Sequence, residues 1–98
     1  MSFGSPDYTN RNAAPTGWQP ISDTATVTPA TITFDGVTVS VYVENTGDTN
    51  NLYYSLDSGT NWVELVPGQN KGLDIAASDI QLKTLASTTT YQVEVTYG

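Results

Sequence analysis

From Val37 to Glu44 the chain reads VTVSVYVE, with a valine at every second position and Thr38, Ser40, Tyr42 and Glu44 between them. Side chains two apart share one face of a strand and neighbours take opposite faces, so this run specifies a strand with one dry and one wet side. The end of the chain repeats the pattern: Tyr91, Val93, Val95 and Tyr97 alternate with Gln92, Glu94 and Thr96. One-sided alternation belongs to antiparallel sheets that face a core on one side and water on the other.

The rest of the chain agrees. Threonine, with 16 copies, is the commonest residue, and β-branched side chains favour pleated strands. Candidate strands are 24–28, 31–34, 37–44, 51–56, 61–66, 72–76, 80–86 and 90–97, separated by turn signals at Asp35-Gly36, 45–50, Ser58-Gly59, Pro67-Gly68 and Asn70. No segment carries a helical period. The expected fold is an all-β, Ig-like antiparallel β-sandwich of about seven to eight short strands over residues 21–98. Residues 1–20 hold Pro6, Pro15 and Pro20 and no hydrophobic period, and read as an extended N-terminal arm. Its apolar content, chiefly Phe3, Tyr8 and Trp18, is too small for it to fold alone. The arm is expected to gain order either by packing on its own domain or, the favoured alternative, by lying on a neighbouring subunit, with Phe3, Tyr8, Arg11 and Trp18 as contact residues.

Two registers follow from local turn chemistry. Asp35-Gly36 suits a two-residue type I′ hairpin, which places Phe34 opposite Val37 and Ile32 opposite Val39 on one face continued by Val41 and Val43. A loop over residues 57–60 places Tyr54 opposite Val63 and Leu56 opposite Asn61. Leu52, Tyr54, Leu56, Val63 and Leu65 then face the core, and Tyr53, Ser55, Trp62 and Glu64 face outward.

This second turn, SLDSGTNW at 55–62, is similar to the Asp-box Ser-x-Asp-x-Gly-x-Thr-Trp of sialidases and other β-propellers, with Asn61 where threonine is usual. A propeller needs at least four four-stranded blades, and a chain of 98 residues offers about eight strands. The resemblance therefore implies a structural turn. Asp57 can accept backbone N–H groups, Gly59 can take positive φ, Ser55 can bond across the hairpin, and Trp62 can cover it. Tyr53 and Trp62 read as an aromatic pair on the outer face, with Tyr42 as a further member, either covered by the arm or a sandwich edge or open to a protein partner or to a sugar.

The chemistry available is narrow. The chain has no His and no Cys, which removes the commonest general base and the usual zinc ligands. It has no nucleophile elbow or phosphate loop, and no enzymatic activity, cofactor or metal is expected. Asp48 with Asn50 and Asn51, and Asp74 with Asp79, lie in or near loops but match no calcium-loop spacing. Ten acidic and three basic residues give a net charge of −7, and the bases are scattered, so neither nucleic acid nor an anionic membrane is an expected partner. No apolar run has the length of a membrane helix and the first residues lack a secretion-signal pattern, so synthesis in a cytoplasm without export is expected.

Residues 37–97, carried by VYVENTGDTNNLYYSLDSGTNWVELVPGQ and GLDIAASDIQLKTLASTTTYQVEVTY, resemble small structural proteins of tailed bacteriophage virions. The resemblance implies a compact sandwich in the virion that binds the major capsid protein or other virion proteins and stabilises the head as a decoration or cement protein. It also implies a homo-oligomer, with a trimer favoured, and an arm that grips capsid subunits. The competing expectations are a head–tail adaptor or tail component, and a carbohydrate-binding module using Trp62, Tyr53 and Trp18.

Overall fold

The computed structural model describes residues 17–97. These form eight strands: β1 (Trp18–Ala25), β2 (Ala30–Thr33), β3 (Thr38–Asn45), β4 (Leu52–Ser55), β5 (Val63–Leu65), β6 (Asn70–Leu73), β7 (Asp79–Lys83) and β8 (Thr89–Tyr97). They build two four-stranded sheets, ordered β1-β8-β3-β6 and β2-β7-β4-β5, in which every pairing is antiparallel. The all-β antiparallel sandwich is as the sequence reads.

The strand order, which the sequence leaves open, follows one rule. β4 pairs with β5, β3 with β6, β2 with β7 and β1 with β8. The chain is thus one long hairpin whose tip is the turn between β4 and β5, wrapped so that every other connection crosses from one sheet to the other. That is the jelly-roll order, and it differs from the ABED/CFG order of immunoglobulin domains.

The valines of β3 and β8 fill the space between the sheets. Val41, Val43, Val93 and Val95 are buried, and Leu52, Tyr54, Leu65, Ile80 and Leu82 meet them from the other sheet. Each such side chain, fully buried, is worth about 1.5–3 kcal/mol.

Three local expectations change. Asp35-Gly36 does not close a hairpin: β2 pairs with β7, β3 pairs with β8 and β6, and the two strands lie in different sheets. A type I′ turn needs positive φ at both central residues. Among the described residues positive φ occurs only at Ser58, Gly59, Gly68 and Ser87. The 35–36 segment is instead a crossover, held by the Asp35 amide donating to Tyr97 Oη at 2.9 Å.

The face assignment also breaks at Val39. Val37 and Val39 are 63% and 51% exposed, while Val41 and Val43 are buried. The register between β3 and β8 shifts between Thr38 and Ser40, a β-bulge that turns Thr38 inward in place of a valine. Thr38 is suited to that position: its hydroxyl donates to Ile75 O at 2.7 Å and accepts from the Ala77 amide at 3.0 Å, tying down the 74–78 loop.

Finally, Trp18, Gln19 and Pro20, read as part of the arm, are the first residues of β1. β1 is an edge strand, where a proline costs the sheet little. Phe3, Tyr8 and Arg11 lie outside the described residues.

Candidate functional site

The hairpin tip gathers four of the residues singled out in the sequence. The register Tyr54 opposite Val63 is observed, as is Leu52 opposite Leu65. Beyond Ser55 the chain folds back over the outer face of its own sheet. Ser55 Oγ donates to Asp57 Oδ1 at 2.7 Å and accepts from the Gly59 amide at 2.9 Å. Asp57 Oδ1 accepts the Asn61 amide at 2.8 Å, and Oδ2 accepts Asn61 Nδ2 at 2.6 Å. Asn61, where the Asp-box has threonine, therefore bonds the same carboxylate twice.

Those donors favour the ionised carboxylate. The Asn61 backbone amide contributes most, then its side chain and the Ser55 hydroxyl, and together they hold Asp57 down at about 2. Gly59 has φ +88°, where a side chain is strained, and a Cβ there would also meet Gln81 Oε1 at 2.9 Å. Trp62 Nε1 donates to Gly59 O at 3.0 Å, so the indole lids the turn. This explains why Ser55, on the outward parity, is only 1% exposed.

Beside the turn, Lys83 Nζ lies 4.2 Å from the centre of the Trp62 ring, a cation–π distance. Lys83 is also the cross-strand neighbour of Tyr53. Tyr53 Oη donates to Glu64 Oε2 at 2.7 Å, and Asn51 Nδ2 donates to the same oxygen at 2.6 Å. The Tyr53 bond, followed by that of Asn51, lowers the Glu64 pKa, and the same contact raises that of Tyr53. Tyr53, Trp62, Lys83 and Glu64 thus form one braced outer patch.

The patch does not extend to the other aromatics. Tyr42 belongs to β3 in the opposite sheet, where its hydroxyl donates to Glu44 at 2.8 Å. Trp18 is on that sheet too, 46% exposed and donating to Glu94 Oε1 at 3.3 Å. A joint ligand surface of Trp62, Tyr53 and Trp18 is therefore not formed within one domain.

Two features escaped the sequence reading. One is an apolar groove of about 450 Å³ beside the free edges of β5 and β6, lined by Leu56, Val63, Leu73 and Ile75 around the buried Tyr54, with Lys71 alongside. The other is Asn45, fully buried. Its amide donates to Asn50 O and Leu65 O, each at 2.9 Å, while Oδ1 accepts the Gly47 amide at 3.1 Å and Thr89 Oγ1 at 2.7 Å. A signal for it exists: Asn45 continues the inward parity of Val41 and Val43, so a polar residue there must be a satisfied anchor.

No protein-family model matches the chain, and no curated protein sequence is similar to it. Solved structures share the fold. An HTH_3 family transcriptional regulator from Vibrio cholerae superposes with a TM-score of 0.62 at 16% identity over 85% of this chain, which spans 44% of that protein. The Cupin_2 domain of an XRE family transcriptional regulator from Enterobacter cloacae gives 0.60 at 15% identity, covering 84% of this chain and 83% of that one. A Bacillus endospore appendage protein, of a family of disulfide-linked pili, gives 0.53 at 14% identity, covering 83% and 86%. At these identities the likeness is one of fold. The interior of this sandwich is lined by apolar side chains, the chain has no His or Cys, and no cluster of metal-ligating residues exists among the described residues.

Proposed function

We propose that this protein is a virion structural protein of a tailed bacteriophage that decorates the head, bridging capsid subunits by contact and performing no chemistry. The carrying observation is the division between inside and outside. The space between the sheets is packed with Val, Leu, Ile and Tyr, and the buried polar side chains Thr38, Asn45 and Ser55 are engaged in internal bonds. What remains for recognition is the outer surface: the braced Tyr53–Trp62 patch, Trp18 on the opposite sheet, and the apolar groove beside β5 and β6.

Fold and resemblance support the reading together. Jelly rolls serve as capsid and lectin domains. One structural neighbour belongs to a family of disulfide-linked pili, so the fold also serves in assemblies of repeated subunits, although this chain has no Cys for such links. The resemblance of residues 37–97 to phage virion proteins supplies the setting. A stable interface buries about 800 Å² per partner. A domain this small supplies that area from a whole sheet face or with help from residues 1–16.

The experiment is a truncation. β1 begins at Trp18, so deleting residues 1–16 removes no described strand. The truncated protein is expected to keep its thermal transition and lose binding to purified heads in co-sedimentation. Undiminished binding by the truncated protein would remove the N-terminal segment from the mechanism.

A further inference from the structure

The end of the sandwich where β3 passes to β4 and β7 passes to β8 carries a groove that the virion reading touches only at Tyr53. Two depressions, of about 230 and about 420 Å³, adjoin there and share Thr49 and Asn50. Their lining is hydroxyl and amide: Thr49, Asn50 and Asn51 from one loop, Ser87 and Thr88 from the other. Tyr53 and the 67% exposed Leu85 line one end, and Asp48 the other.

The two loops are tied to each other. Asn50 Nδ2 donates to Thr88 O at 2.7 Å, the Thr46 amide donates to Thr90 O at 3.0 Å, and Thr46 Oγ1 donates to Thr90 Oγ1 at 2.8 Å. Asn45 fixes the first loop from beneath through Gly47 and Asn50. Thr84 fixes the second by donating to Ser87 O at 2.7 Å. Ser87 is held at φ 60°, a left-handed conformation that costs energy for a residue other than glycine. The Tyr53 ring is anchored through its hydroxyl to Glu64, and the same oxygen holds Asn51. A polar groove held this firmly loses little entropy when it binds. Several of its polar atoms have no protein partner among the described residues, including Asn50 Oδ1, Asn51 Oδ1, Ser87 Oγ and Thr88 Oγ1.

From this geometry we infer that the groove is a binding site for a neutral oligosaccharide. No cation lines it and Asp48 adds negative charge, which disfavours phosphate, sulfate and carboxylate ligands. Its hydroxyl and amide lining suits a ligand rich in hydroxyls. Tyr53 and Leu85 give the apolar face of a sugar ring a place to rest, and the tyrosine ring offers large contact area at little conformational cost. The groove shares Tyr53 with the Trp62 patch, but neither Trp62 nor Trp18 lines it, and the inference does not rest on the capsid reading.

The test is a two-dimensional amide NMR titration of the full chain with maltohexaose, cellohexaose and the hexamer of N-acetylglucosamine, with sialyllactose as the anionic control. At least one neutral glycan is expected to shift the amides of residues 46–51 and 85–90 at millimolar concentration, and sialyllactose is not. Tyr53→Ala is expected to weaken that binding roughly tenfold, the size of one aromatic contact. Since Tyr53→Ala also releases Glu64, Thr88→Lys provides a second variant: Thr88 is exposed, and a long side chain there obstructs the groove without touching the core. Perturbation by none of the three neutral glycans would overturn the inference. So would shifts centred on Trp62 or Trp18, or affinity unchanged in both variants.

Discussion

Replacing Asn45 by alanine tests how the loop end of the fold is held. The side chain makes four hydrogen bonds, and the substitution removes all of them. The partners do not suffer equally. Asn50 O and the Gly47 amide are partly buried, so water can replace the lost contact. Leu65 O and Thr89 Oγ1 bond Asn45 in a fully buried setting. A buried polar group left unsatisfied costs about 1–3 kcal/mol, so two stranded groups, partly relieved by rotation of the Thr89 hydroxyl, give a loss of about 3–4 kcal/mol. Domains of this size are stable by only about 5–15 kcal/mol in total, and each kcal/mol moves the melting temperature by roughly 4–8 °C. Asn45→Ala should therefore melt some 12 °C or more below the parent, with a lower urea midpoint at similar slope. Asn45→Asp should be at least as harmful, because a carboxylate cannot donate to the two carbonyls. Thr46→Ala, which removes an exposed bond to Thr90, is the control and should stay within about 0.5 kcal/mol. If Asn45→Ala unfolds within about 1 kcal/mol of the parent, Asn45 does not bear the load assigned to it.

Other outcomes are equally specific. Val43→Ala should cost about 2 kcal/mol and Val39→Ala less than about 0.5 by urea denaturation, because the bulge buries one valine and exposes the other; equal costs would contradict the bulge. Asp57 is held below its ordinary 3.8, at about 2, so its contribution is complete above 3.8 and is lost as the pH falls through about 2. Trp62 fluorescence should follow that acid loosening of the hairpin tip, and Asp57→Asn should flatten the response across the same window. A Cβ on Gly47 would collide with Thr89 Oγ1, so Gly47→Ala should destabilise the protein, and less so in a Thr89→Ala background; strict additivity in that cycle would place the strain elsewhere.

Local order was legible in the sequence and long-range order was not. Tyr54 opposite Val63 could be derived because the turn that sets it is seven residues of uninterrupted chemistry, and the buried parity of Val93 and Val95 follows from period alone. The pairings of β1 with β8 and β2 with β7 join residues up to 78 positions apart, as Trp18 with Thr96 does, and no local rule sets them. Asp35-Gly36 misled because Asp-Gly also suits crossover turns, and what selects the crossover is Tyr97, at the far end of the chain. The bulge at Thr38–Ser40 was hidden because its cause is the 74–78 loop, whose groups need the Thr38 hydroxyl. At the site, the roles of Asp57, Gly59 and Trp62 were legible but the extent of the turn was not: the loop runs from 56 to 62 instead of 57–60, Leu56 and Asn61 do not pair, and Val63, expected in the core, is 44% exposed. The separation of Tyr42 and Trp18 from Tyr53 and Trp62 depends on which sheet each strand joins, and so on the same long-range pairings.

Stoichiometry tests the central claim most directly. Quantitative mass spectrometry of purified virions encoding this protein should find it in hundreds of copies, commensurate with the major capsid protein. A dozen copies or fewer, or none, would contradict head decoration.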